Sequence, residues 1–190
     1  MRLEGSSALH DWQAESRIIA GSLEVGPNFP IQPGQPVTPA KVEARGEASV
    51  NVRSLMSIEK DGRPYKDTMD QKMWEMLLQE KHPKIVYHLR ELVLKEAPKD
   101  ASSPYVFDSQ GDLTVAGVTK KVSMPVNVLP LGETKGEKRV KITGSAPLKM
   151  SDFNISPAQI LFVKTEDKVT AKFEWIVGHK AASSTTGASK

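Results

Sequence analysis

Four histidines, His10, His82, His88 and His179, are the side chains of this 190-residue chain best suited to proton transfer or metal ligation. Sequence-local metal sites place such ligands as HxH or HExxH, and no two of these histidines stand at that spacing. His82 precedes Pro83 and His179 lies near the tail, which marks both as solvated loop residues. His88 sits in a strand-like run and reads as a surface group. His10, in "LHDW", has two readings: it orients a ligand head group, or it makes a hydrogen bond that locks the first strand. With the nearby hydroxyls of Ser6 and Ser7 it is the basis for one minor alternative, an enzyme acting on a lipid or quinone precursor. Asp67 and Asp70 look like helix-start charges rather than an acid–base pair. GxSxG, P-loop and GxGxxG motifs do not occur, and the absence of cysteine excludes disulfides, thiolate metal sites and a cysteine nucleophile. The expectation is a protein without catalysis, metal or other cofactor.

The apolar residues carry more information. In "GDLTVAGVTKKVSMPVNV", Leu113 and Val115, then Val122, Met124, Val126 and Val128, fall on alternate positions. Val140, Ile142, Gly144, Ala146, Leu148 and Met150 repeat the pattern, as do Val169, Ala171, Phe173, Trp175 and Val177. Alternation of this kind is a strand with one buried face. Small residues punctuate these faces and leave space unless larger partners fill it, while methionine adapts to flexible apolar ligands. The same pattern also fits a solid core of alternating large and small side chains. Both readings stand at this point.

Strands dominate the elements that must position these faces. Residues 2–16 and "RIIAGSLEV" read as an opening antiparallel pair with a bulge or bend at Gly21. "GPNFPIQPGQPVTP" holds five prolines and reads as an exposed loop or edge, with Pro27 to Pro39 offering a preorganised surface to a partner protein. "KVEARGEASVNV" is a strand, and one helix follows Pro64, with Met69, Met73, Met76 and Leu77 at helical spacing beside Trp74. "KIVYHLRELVL" is strand again, though its buried face is ambiguous. Four more strands follow: Tyr105 to Gly117, Val118 to Leu131, Lys138 to Met150 and Lys168 to Gly178. "SDFNISPAQI" reads as a loop with one helical turn. Short links between about eight strands predict an all-β, antiparallel, eight-stranded barrel with one mid-chain helix. Residues 1–178 form one domain, and the small-residue tail 179–190 is expected to be disordered.

The chain is 38% hydrophobic and 26% charged, with a net charge of +3 and pI near 9.0. Its basic residues are scattered or in doublets, which argues against nucleic-acid binding. There is no apolar run of membrane-spanning length. The chain enters a strand-like pattern within two residues of Met1, as a mature domain trimmed of an export signal would.

Several landmarks, in order, resemble the YceI-like family. The hairpin Gly111 to Val128 resembles its G-x-L-T-x-x-G-x-T-K-x-V signature, and "GSSALHDW" its opening Gly-Ser-x-x-His-x-Trp strand. "MWEMLLQEKHPKIVYHL" resembles its helix leading to a P-x-I-x-F strand, with Tyr87 in the aromatic place. "GSAPLKMSDFNI" resembles its G-x-x-x-x-x-R-x-D-F-x-I segment, with Met150-Ser151 where an arginine-containing pair is common. The resemblance covers about residues 3 to 178 and implies a lipocalin-like barrel holding a polyisoprenoid or isoprenoid-quinone-like lipid, in a protein exported to the periplasm. It implies that Leu113, Val115, Met124, Val126, Ile142, Leu148, Phe173 and Trp175, with Met73 and Leu77 of the helix, line the ligand's tunnel, and that His10 meets its head group. A non-catalytic lipid carrier is the leading expectation; a structural or interaction module with a packed core is the alternative. A homodimer is left open.

Overall fold

A computed structural model describes residues 1–157, 159–160 and 163–179. The strands are β1 (Arg2–Ser7), β2 (Asp11–Glu15), β3 (Ala20–Val25), β4 (Lys41–Val42), β5 (Ala44–Asn51) and β6 (Met56–Ile58). After helix α1 (Asp67–Met76) come β7 (Lys84–Glu96), β8 (Tyr105–Val115), β9 (Val118–Thr134), β10 (Glu137–Lys149), β11 (Gln159–Ile160) and β12 (Val163–His179). All pair antiparallel in the order β3-β5-β7-β8-β9-β10-β12-β1-β2-β6, with β4 beside β7 and β11 beside β12. No helix among the described residues is long and apolar enough to cross a membrane.

Among the described residues twelve strands stand where eight were expected, ten of them along the main path. Residues 2–16, expected as one strand paired with Arg17 to Val25, form the β1–β2 hairpin, and β3 pairs with β5 instead. The run from Lys41 divides into β4 and β5, and the short β6 and β11 add to the count. β2 runs on into β3 across residues 16–19, and β5 runs on into β6 across the 3-10 turn Val52–Ser54. The two breaks face each other: the hydroxyls of Ser16 and Ser54 lie 2.7 Å apart. Gln13 pairs with Ile58 on one side of the breaks, and Ala20 with Ser49 on the other. The first and last ladders of the sheet therefore join the same two stretches of chain, and the sheet curls round on itself.

The ambiguous face of β7 has a local cause. Leu89 pairs with Gly111 and Glu91 with Gln110, so Arg90 is an extra residue in the ladder. A β-bulge of this kind moves the inward face by one position. Ile85, Tyr87 and Leu89 face inward before it, and Leu92 and Leu94 after it.

The interior holds two buried clusters. One contains Phe29, Leu94, Tyr105, Phe107, Val128 and Val140; the other contains Val52, Leu55, Leu77, Val115, Phe153 and Ile155. The proline-rich stretch caps the first through Phe29 and Pro30, while Pro27, Pro33, Pro36 and Pro39 stay exposed. Phe29 and Pro30 are buried, the Gln35 side chain donates to Phe29 O and accepts from Ile31 N, and the Tyr105 hydroxyl donates to Gln35 O. Helix α1 covers the second cluster through Leu77, Met73 and Trp74, whose indole Nε1 donates to Leu55 O at 2.9 Å. Asp70 is more than a helix-start charge: it is 3% exposed and accepts from Ser57 N at 2.5 Å, tying α1 to β6.

The "SDFNI" segment forms a 3-10 turn over Met150–Phe153, ended by Asn154 in the left-handed region. Ser151, in the arginine-pair position, donates its backbone N–H and its hydroxyl to Asp167. His179, expected in the tail, is the last residue of β12; the rest of that tail, 180–190, lies outside the described residues.

Candidate ligand site within the curled sheet

Alternating strand residues place one face of nearly every long strand inside the sheet, and there the packing is incomplete. An apolar cavity of about 160 Å³ borders both buried clusters. Leu113 of β8, Met124 and Val126 of β9, Ile142 and Leu148 of β10, and Phe173 and Trp175 of β12 line it. Ala48, Ala146 and Ala171 leave the space that their neighbours do not fill.

Other expected site residues lie elsewhere. Val115 and Leu77 are buried in the second cluster, with Met73 packed against it, and none of the three lines the cavity. Their periodicity reports burial, which a core satisfies as well as a ligand does. His10 is exposed in the turn between β1 and β2, where the Ser7 N–H and hydroxyl both donate to its backbone carbonyl. The backbone, not the imidazole, locks that strand.

Among the lining residues that the sequence does not mark as site residues are Tyr87 and Ser109. Ser109 follows Tyr105 and Phe107 on the inward positions of β8, so a hydroxyl on an otherwise apolar face was the available signal. The Tyr87 ring reaches it because Gly111 has no side chain: a Cβ there would meet the ring and sit 2.6 Å from its hydroxyl. The Tyr87 and Ser109 hydroxyls lie 2.8 Å apart, and Ser109 is 2% exposed. Burial pushes the Tyr87 phenol above its ordinary value of 10.0, against the Ser109 hydrogen bond, so it is a neutral donor near neutral pH. Phe173 uses glycine in the same way, its ring lying over Gly144 directly across the β10–β12 ladder.

At the cavity's edge Glu47 approaches the His88 Nδ1 at 3.6 Å, an exposed pair. Among the described residues no three His, Asp or Glu side chains gather as metal ligands. The arrangement can enclose an apolar chain in an almost wholly apolar wall.

Residues 13–176 match the YceI-like domain. The fold is similar to that of a Campylobacter jejuni YceI protein, at 15% identity and a TM-score of 0.60, over 88% of this chain and 85% of that one. It is similar to Burkholderia cenocepacia BcnA at 14% identity and 0.61, over 93% and 95%. A polyisoprenoid binding domain from Saccharophagus degradans, implicated in plant cell wall breakdown, aligns at 11% identity and 0.59, over 92% and 90%. No curated protein matches the sequence. These identities bear on fold alone, but the domain match runs through most of the chain, from β2 to β12. The chain belongs to the YceI-like family.

Proposed function

We propose that this protein is a non-catalytic carrier that holds a polyisoprenoid or similar flexible apolar lipid inside a lipocalin-like barrel. The observation that carries the reading is the cavity between the two clusters, walled by carbon apart from a few polar groups. Burying a hydrocarbon there gains on the order of 25 cal/mol per Å² removed from water, with little directional demand. The Saccharophagus degradans relative, described as polyisoprenoid binding, supports the ligand class.

The cavity's 160 Å³ is below the roughly 300–1,000 Å³ of ordinary ligand pockets. As it stands it holds a short segment of chain. A full-length lipid enters by moving flexible or terminal groups, of which Met124 and the loop-borne Phe29 are the most easily displaced. By the family likeness the carrier works in the periplasm, and cell fractionation of the producing bacterium checks that placement.

Native mass spectrometry of protein incubated with bacterial membrane lipids tests the function. A bound isoprenoid, retained in a defined stoichiometry, is the expected result. Protein that takes up no isoprenoid from membranes or from detergent solution overturns it in favour of a packed structural module.

A further inference from the structure

The β9–β10 ladder stops at Val126 and Gly144. Beyond it, among the described residues, 118–125 of β9 pair only with β8, and 145–149 of β10 only with β12. Burial follows the ladder. Where it holds, the inner-face residues Val126, Val128, Val140 and Ile142 are buried. Where it is missing, Val122, Met124 and Leu148 are half-buried, and of the inner-face residues there only the small Ala146 is buried. Lys120 marks the same place. It pairs with the cavity-lining Leu113, which puts it on an inner-face position between Val118 and Val122. Both of those are half-buried, yet Lys120 is exposed. An ammonium is carried on an inner face only where water reaches it. The foot of the gap is closed by the turn Met150–Phe153, with Phe153 buried and Val118 and Met150 packed against the same cluster. Its upper part is not closed, and Val122, Met124 and Leu148 line the cavity, so the gap runs into it.

We infer that the gap between β9 and β10 is a side window of the cavity, through which the lipid chain passes with its head group outside. The inference rests on the lipid-carrier reading and deepens it. A cavity of about 160 Å³ holds one stretch of chain, and the remainder lies beyond the wall. The ligand class is therefore a single long apolar chain whose head can have any bulk, because the interior never encloses the head. Val122 and Leu148 are the apolar lips, and the flexible Met124 is the gate between them.

The test asks where the head emerges. The chain has no cysteine of its own, so single-cysteine variants carry one fluorophore each. Ser123→Cys labels the exposed outer face of β9 at the window, Asn28→Cys the capping loop, and Ala20→Cys the edge of β3, which shares no ladder with β12. The probe is a polyprenol bearing a bulky nitroxide on its terminal oxygen, compared with the untagged polyprenol. Tagged and untagged chains should bind wild type with an affinity ratio of one, and quenching should be strongest at position 123. Strongest quenching at position 20 or 28 overturns the inference by placing the exit elsewhere. Binding of the untagged chain alone overturns it too, since the head must then be enclosed. Failure of both chains to bind wild type removes the lipid-carrier reading itself, a distinct outcome. Circular dichroism melting checks that each labelled variant is folded.

Discussion

Phe29, from the proline-rich loop, lies against Phe107 of β8 with ring centroids 6.1 Å apart and planes inclined by 20°. Phe107 is fully buried and Phe29 borders the cavity, so this pair is where the loop closes the interior. Phe29→Ala removes the plug and leaves the strands in place. The expected cost is about 3 kcal/mol, at the lower end for Phe→Ala because loop backbone can relax. Lipid uptake, followed by stopped-flow fluorescence, should quicken. Destabilisation with an unaltered uptake rate would show that chains enter elsewhere.

Gly144 and Phe173 make a second, sharper prediction. A Cβ at position 144 would stand 2.6 Å from Phe173 Cε1 and 3.1 Å from Val126 Cγ1, both on the inner wall. Gly144→Ala should cost about 1–3 kcal/mol, as overpacked sites do, and push the Phe173 ring into the cavity. Phe173→Leu in the same chain should recover much of that loss. Denaturation midpoints of the two single variants and the double variant measure the coupling, and strict additivity would refute the contact.

The same residues show how far the sequence could be read. Period-two alternation put Leu113, Met124, Ile142 and Phe173 on one face because each strand there is uninterrupted. β7 resisted the same reading because the extra residue Arg90 changes which positions face inward, and nothing in "HLRELVL" marks a bulge. The strand count diverged at Ala8 to His10, where a turn held by Ser7 folds the opening run into the β1–β2 hairpin, and after Val52, where β6 follows a 3-10 turn. Proline content identified the Pro27 to Pro39 segment as no central strand. It could not show that Phe29 and Tyr105 fasten it over one end. His10 attracted attention for its chemistry alone, and its position is set by a turn the sequence does not spell out.

Asp70 fastens the helix to the sheet. Its carboxylate accepts the Ser57 backbone N–H, and replacing it by Ala leaves that donor without its partner. Asp70→Ala should cost about 1–3 kcal/mol, and Asp70→Asn, which keeps an acceptor oxygen, markedly less. Hydrogen exchange at the Ser57 amide reads the bond directly. Equal protection in Asp70→Ala and wild type would assign the helix's attachment to Leu77 and Trp74 alone.

Arg2 and Glu15 stand opposite each other on β1 and β2, with Arg2 Nη2 donating to Glu15 Oε2 at 2.7 Å. The Arg2 hydrogen bond holds the Glu15 carboxyl below its ordinary 4.5, outweighing the opposing effect of burial. A depressed carboxyl contributes stability above its unfolded value, and that contribution disappears as pH falls through the folded value. The contribution is at most about 1 kcal/mol, because both side chains are partly exposed and screened. Arg2→Met should flatten the urea-midpoint profile below pH 4.5, while leaving its shape above pH 6 unchanged. A wild-type profile with no acid-side loss removed by this variant would contradict the pairing.

Trp175 gives the cavity its own reporter. The chain has three tryptophans, and only Trp175 lines the cavity. Trp12 lies over Gly5 in the β1–β2 ladder, and Trp74 is bonded to Leu55 O beneath the helix, with the Arg53 guanidinium 5.7 Å from its ring centroid. A chain lipid entering beside Trp175 displaces water or side chains from the indole, so its emission should shift to shorter wavelength as lipid is added. Trp175→Phe should abolish the shift. Trp12→Phe and Trp74→Phe should preserve it, because those rings have no face on the cavity. If the shift survived in Trp175→Phe and vanished in Trp74→Phe, lipid would be meeting the helix end, where Met76, Leu78 and Phe153 border a second pocket, rather than the interior of the sheet.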